Sequence, residues 1–165
     1  MDDRPTSSHP LSDVTRRWRA ASPLLVAGGV SIVAGGLVAA ITGPTDWDRG
    51  SWVAAFLVLV AGVAQIGVGA SQAHLSPAPT ALRFTAVQCA LWNVACVATI
   101  VGSLLNNTVV VGIASAPLVA ALVMSVIATK GSGSSRPQLL LAYRMLLILL
   151  LASIPVGITL SALRS

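Results

Sequence analysis

The sequence predicts an all-α membrane protein, a polytopic bundle of five transmembrane helices. Hydrophobic residues make up 55% of the 165-residue chain and charged residues only 9%, whereas soluble domains carry about a quarter charged residues. Five apolar runs each have about the 20 residues that a helix needs to cross a hydrocarbon core of about 30 Å. The basic residues lie at the ends of these runs and form no stripe with interleaved aromatics, which excludes a nucleic-acid partner.

The N-terminal segment, residues 1–21, is polar and lacks apolar periodicity. It is predicted to be a disordered basic cytoplasmic tail that ends in a cluster of arginines around Trp18. The first apolar run, residues 23–42, is longer than the hydrophobic region of a signal peptide, so a transmembrane helix is favoured over a cleaved signal.

The five-helix transmembrane domain, residues 22–165, is divided by clear breaks. Tryptophans 47 and 52 flank the first outer loop and suit the interfacial belt. Prolines 77 and 79 interrupt the second connection, and Asn106-Asn107-Thr108 forms a short turn. A Gly/Ser stretch precedes the last run. The predicted spans are residues 23–42, 52–74, 84–105, 109–129 and 139–163.

The distribution of Lys and Arg predicts the orientation. With a cytoplasmic N-terminus, eight basic residues lie inside and two lie outside, which follows the positive-inside rule. Five spans then place the C-terminus outside. The inner set is Arg4, Arg16, Arg17, Arg19, Arg83, Lys130, Arg136 and Arg144, and the outer set is Arg49 and Arg164.

Polar side chains within the second and third spans are the candidate functional site. In the second span they form one helical face, and in the third they form another, each with alternating steps of three and four residues. The first face is Gly62, Gln65, Gly69, Gln72 and Ser76; the second is Thr85, Cys89, Trp92, Cys96, Thr99 and Ser103, flanked by Gln88 and Asn93. Gln65, Trp92 and Asn93 lie at similar depths, which predicts that the two faces pack together with these side chains in the interior.

Two interpretations of this polar intramembrane cluster stay open. Because lipid offers no hydrogen-bond partner, the residues Gln65, Gln72, Gln88, Trp92 and Asn93 are expected to bond between helices and hold them together. The alternative is a polar pocket for a small molecule between the second and third helices.

No resident cofactor or metal is expected. His74 is the only histidine beside an apolar run, and a bis-histidine haem needs two such ligands, so an interfacial histidine is favoured over a single axial ligand or a site shared by two chains. No His, Cys, Asp and Glu set has metal-ligand spacing. Cys89 and Cys96 are seven residues apart on one helix, a rise of about 10.5 Å, so they cannot form a disulfide with each other.

Small residues on the first span form a possible contact face for another helix. Gly28, Ser31, Gly35 and Ala39 share one side, with paired glycines at 28–29 and 35–36. Such spacing lets helix backbones approach closely, and the partner is either internal or another subunit.

These observations favour a protein with a structural, assembly or accessory-subunit role in the inner or plasma membrane, from a bacterial source. The expected partners are the lipid bilayer and other membrane subunits or further copies of the chain. No catalytic motif is present, so no enzymatic activity is expected. The alternative function is a small transporter or channel component, or an intramembrane binder of haem, quinone or lipid.

Overall fold

A computed structural model describes residues 10–76 and 80–129, together with Leu141, Met145 and Ile148. The continuous segments form four helices, each long and apolar enough to cross a membrane. They are α1 (Pro10–Thr42), α2 (Gly50–Leu75), α3 (Leu82–Leu104) and α4 (Thr108–Ala128). The predicted fifth span lies outside the described residues apart from the three isolated positions, which are helical and exposed. These four helices agree with the first four predicted spans.

The first helix begins earlier than the sequence predicted. Disorder was expected over residues 1–21, whereas α1 starts at Pro10 in the structure; residues 1–9 lie outside the described part. Asp13 accepts a hydrogen bond from Arg16 one turn later, and Ala20 and Ala21 are buried. The polar turns therefore continue the helix because their inner side packs on the bundle, although their outer side is solvated.

Proline 23 lies within α1 and cannot donate to the carbonyl four residues earlier. That carbonyl belongs to Arg19, and the Ser22 hydroxyl donates to it over 2.8 Å. The neighbouring serine thus replaces the missing backbone donor, which explains why the helix runs through the proline.

Glycines bring α1 and α2 into close contact. A Cβ built on Gly28 would lie 2.6 Å from Ile66 Cγ1 and 2.9 Å from the Gly62 carbonyl oxygen, and one built on Gly62 would lie 2.5 Å from Ile32 Cγ1. A Cβ on Gly35 would lie 2.6 Å from Val58 Cγ2. The small face predicted on the first span therefore has an internal partner along most of its length. Ala39, at its far end, is exposed.

The second helix changes its winding in the middle. Residues Gly50–Phe56 and Gln65–Leu75 are α-helical, whereas Leu57–Ala64 form a π-helical stretch. A π-helix has a wider turn and rotates the following side chains relative to a continuous α-helix. It lies at the level where α2 meets Gly28 and Gly35 of α1.

Helices α1 and α2 form a first hairpin, and helices α3 and α4 form a second one. Hydrogen bonds support the tight turn of the second hairpin. Asn106 adopts a positive φ of 52°, and the Asn107 side chain caps α4 by accepting from the backbone N–H groups of Val109 and Val110. Arg49, from the turn between α1 and α2, donates to the carbonyl oxygens of Ser103 and Leu104 and to Asn106 Oδ1. The two hairpins are therefore joined at this end by one arginine.

The helices are arranged as two hairpins, and the closest neighbours are not the pair that the polar faces suggested. Helix α2 packs most closely on α1, and α3 packs most closely on α4. The polar side chains of α2 and α3 meet across the groove between the hairpins. Contact between the second and third helices is therefore made by long side chains and not by closely approaching backbones.

Candidate functional site

Gln72, Gln88 and Ser125 form a hydrogen-bonded chain that connects α2, α3 and α4. Gln72 Nε2 donates to Gln88 Oε1 over 3.2 Å, and Gln88 Nε2 donates to Ser125 Oγ over 2.6 Å and to the Ala121 carbonyl over 3.2 Å. All three side chains are buried. The two glutamines were predicted to belong to one cluster, and the structure brings them into direct contact.

The Ala121 carbonyl fixes the orientation of both glutamine amides. A carbonyl oxygen only accepts, so Gln88 must present its Nε2 to Ala121 and its Oε1 to Gln72. Gln72 must then present its own Nε2 to Gln88, which directs Gln72 Oε1 to the other side of the chain. That oxygen is buried and has no hydrogen-bond partner among the residues that the structure describes.

Gln65 lies deeper in the bundle and contacts the Cys89 thiol. Its Nε2 is 3.3 Å from Cys89 Sγ, and the same sulfur is 3.4 Å from the Pro23 carbonyl oxygen of α1. Gln65 is fully buried. The cysteine therefore acts as a polar link among three helices.

Trp92 and Asn93 differ in what they contact. The Trp92 side chain is fully buried, and its Nε1 donates over 3.2 Å to the Val60 carbonyl in the π-helical stretch of α2. Asn93 is only half-buried, and its Nδ2 donates over 2.8 Å to the Cys89 carbonyl of its own helix. The two amides of Gln65 and Asn93 share Cys89 Sγ, at 3.3 and 3.5 Å, and no direct bond between them is present in the described residues.

His74 lies at the end of α2, away from the buried cluster. The side chain is exposed, and its ring meets Trp18 edge-on with centroids 5.4 Å apart. This contact ties the early turns of α1 to the end of α2. Among the described residues, no three His, Cys, Asp or Glu side chains come together as they would around a metal ion.

A small cavity lies near this end, between α1, α2 and α3. Its volume is about 10 Å³, and its lining is Arg17, Ala20, Ala21, Gln72, Ala73, Ser76, Thr80 and Thr85. Gln72 Oε1, Ser76 Oγ and Thr85 Oγ1 are buried and lack a hydrogen-bond partner within the part of the chain described. Arg17 donates to the Ser76 carbonyl. Three residues that carry an unpaired polar atom thus line one cavity, together with Arg17.

Sequence reasoning missed three residues that contribute to this region. Ser125 is a single serine in an apolar helix, and Arg17 was assigned to a disordered tail. Thr85 was placed on the polar face, but the spacing of polar residues along the third span does not predict that Thr85 lines a cavity. Only the arrangement of three helices brings these residues together.

No protein-family model matches the chain, and no curated protein or solved structure shows significant similarity to it.

Proposed function

We propose that this chain is a non-enzymatic integral membrane protein with a structural, assembly or accessory-subunit role in a bacterial cell membrane. In this proposal it crosses the bilayer five times, with the N-terminus in the cytoplasm and the C-terminus outside. This topology is supported by the asymmetric distribution of basic residues and by the five apolar runs of the sequence, the first four of which correspond to the described apolar helices. The polar groups between the helices support a packing role, because most of them bond to another helix.

The observation that carries the proposal is a second glycine face on α1, which points away from the other three described helices. Among the residues that the structure describes, none lies within 4 Å of a Cβ built on Gly29 or Gly36, in contrast to the adjacent Gly28 and Gly35. Val33, between them, is 64% exposed, and Ala40 continues the same face. Small residues spaced in this way allow a helix of another subunit or of a second copy to approach closely.

The test is to fill this face with leucine and to measure assembly. The full-length Gly29→Leu/Gly36→Leu protein, purified in mild detergent, should lose copies of itself or accompanying chains that the wild type retains in native mass spectrometry. Its folding should be preserved, because leucine is a better helix former than glycine.

Gly112→Leu is the matched control, since that glycine also has nothing within 4 Å but lies on α4. It should leave assembly unchanged. A wild-type protein that stays monomeric in detergent and in lipid nanodiscs, with no accompanying chain, would contradict the assembly role.

The topology can be tested separately with reporter fusions. A reporter that is active only in the cytoplasm should function when inserted at residues 131–135 and should be silent when fused after Ser165. Activity at the C-terminal fusion would refute the five-span arrangement.

Among the alternative functions, one specific observation favours lipid binding. The cavity at the end of α2 has three unpaired polar atoms and an arginine at its margin. These groups resemble a headgroup site more than a site for haem or quinone, because a cavity of about 10 Å³ admits only about one oxygen-sized group.

A further inference from the structure

Gln72, Ser76 and Thr85 line the cavity, and their polar side chains are buried. Each of these side chains is at most 4% exposed, and each carries an atom without a hydrogen-bond partner among the described residues. Leaving such an atom unpaired in a buried position destabilises the fold. Three in one cavity are better explained by a guest that bonds to them than by three separate defects.

The chemistry of the walls identifies the kind of group that fits. Gln72 Oε1 can only accept, and its orientation is fixed through Gln88 by the Ala121 carbonyl. Ser76 and Thr85 hydroxyls can each donate or accept. The guest must therefore donate to Gln72 Oε1 and can accept from a hydroxyl; a neutral O–H group does both, whereas a bare phosphate oxygen cannot donate.

The surroundings of the cavity add a positive charge. Arg17 and Thr80 are partly exposed, whereas the other polar lining residues are buried, so these two mark the open side. Arg17 also bonds to the Ser76 carbonyl, which holds its guanidinium group beside the opening. Guanidinium groups bind phosphate well because they present several N–H donors in one plane.

We propose that the cavity and its margin bind the headgroup of an anionic lipid that carries a free hydroxyl, as a phosphoglycerol headgroup does. One headgroup hydroxyl enters the cavity, donates to Gln72 Oε1 and accepts from Thr85 or Ser76. The lipid phosphate lies outside, beside Arg17. This inference goes beyond the assembly role, because it concerns the inner surface of α1 and not the outward glycine face, and it rests on the proposed alternative of lipid binding by naming the class of lipid.

The test measures lipid retention and thermal stability of the full-length protein after removal of native lipid. Phosphatidylglycerol should raise the unfolding temperature more than phosphatidic acid, which lacks the headgroup hydroxyl, or phosphatidylcholine, which lacks both the hydroxyl and the net charge. Glycerol 3-phosphate and inorganic phosphate serve as soluble probes and should have little effect at matched concentration. Equal stabilisation by all three lipids, or full stabilisation by a soluble probe, would overturn the proposal.

Two conservative variants test the hydroxyl contacts. Thr85→Val and Ser76→Ala remove only unpaired oxygen atoms, so neither should lower stability in the absence of lipid. The variant that removes the donor to the lipid hydroxyl, Thr85→Val or Ser76→Ala, should weaken phosphatidylglycerol binding about threefold to tenfold, the value of one net hydrogen bond.

Thr99→Val is the matched control, because that hydroxyl bonds to the Ala95 carbonyl of its own helix, away from the cavity. It should leave phosphatidylglycerol binding unchanged. If Thr85→Val and Ser76→Ala bind the lipid as well as the wild type, or if they only destabilise the protein regardless of lipid, the cavity holds a structural water and the lipid proposal is wrong. Oligomeric state is recorded in parallel, so that loss of assembly and loss of lipid binding are distinguished.

Discussion

The contact between α1 and α2 and the contact between α2 and α3 use opposite means to join apolar helices. In the first, glycines remove side chains and the backbones approach until a Cβ on Gly28 would lie 2.9 Å from the Gly62 carbonyl. In the second, the backbones stay further apart and amide side chains of Gln65, Gln72 and Gln88 cross the gap. The first contact depends on shape, and the second depends on pairing donors with acceptors.

This difference predicts how each contact responds to substitution. A glycine contact has no room for an added methyl group, whereas a polar contact tolerates a change in volume but not the loss of a donor or an acceptor. Both contacts occur on α2, whose π-helical stretch precedes Gln65. Around this stretch, α2 therefore meets α1 through a close glycine contact and α3 through hydrogen-bonded side chains.

The largest effect is expected for Gly28→Ala. Its Cβ would overlap Ile66 and the Gly62 carbonyl, so the α1–α2 contact must open, and we expect a loss of about 1–3 kcal/mol in the free energy of unfolding. Gly29→Ala is the matched control, with nothing within 4 Å of its new methyl group, and should be neutral or gain up to about 1 kcal/mol from helix propensity. Reversible unfolding in mixed micelles measures both. Equal effects at the two positions would show that the α1–α2 contact is looser than described.

The next effect concerns Gln88, the centre of the polar chain. Gln88→Leu removes bonds to Gln72, Ser125 and the Ala121 carbonyl and leaves Gln72 Nε2 unpaired, so we expect a loss of about 2 kcal/mol. Asn93→Leu, whose amide bonds mainly within its own helix, should cost much less. The same unfolding measurement compares the two variants. A larger loss for Asn93→Leu would contradict the conclusion that Gln88 bonds between helices while Asn93 bonds mainly within its own helix.

Double-mutant cycles measure how strongly two pairs of polar side chains in the α2–α3 contact are coupled. Gln72 and Gln88 bond directly, so their replacement by leucine should show a coupling energy of about 0.6–1.7 kcal/mol. Gln65 and Asn93 meet only through Cys89 Sγ, and their coupling should be weaker, at about 0.3 kcal/mol. The sequence had favoured Gln65 and Asn93 as the coupled pair. A stronger coupling for that pair would restore the original expectation.

Hydrophobic runs were sufficient to predict the four described helices, because a span requires about 20 apolar residues wherever it lies. The polar faces of the second and third spans were also predicted, since burial of both Gln65 and Gln88 follows from the absence of partners in lipid. Spacing on one helix does not tell which neighbour is closest, so the α1–α2 pairing was not foreseen. It also does not reveal that Ser125, a single serine on another helix, completes the chain.

The early turns of α1 show the opposite limitation. Residues 10–21 were predicted to be disordered from their polarity, but disorder depends on whether a segment finds a partner. Here Arg17 bonds to the Ser76 carbonyl and Trp18 contacts His74, both at the end of α2. Those contacts are between residues more than fifty positions apart, so they cannot be predicted from the composition of the segment itself.

A small loss of stability is expected at the end of the bundle opposite the cavity, where Arg49 joins the two hairpins. Its guanidinium group donates to two carbonyl oxygens at the end of α3 and to Asn106 Oδ1, but the side chain is exposed, and water can replace each bond. Arg49→Ala should therefore lower the free energy of unfolding by only about 0.5–1 kcal/mol. Arg49→Lys should recover part of this, because lysine keeps the charge and three donors but lacks the planar fork.

Hydrogen exchange can show whether Arg49 holds the two hairpins together or only stabilises the turn that it contacts. Hydrogen exchange at the start of α4 should quicken in Arg49→Ala, since the α3–α4 turn loses its attachment to the α1–α2 turn, while exchange at Gln72 and Gln88 should be unchanged. The polar chain and the arginine hold the same two hairpins at opposite ends. If Arg49→Ala also quickens exchange around Gln88, the two ends are coupled and the hairpins move as rigid units. If exchange changes at neither place, the polar chain alone sets how the hairpins pack.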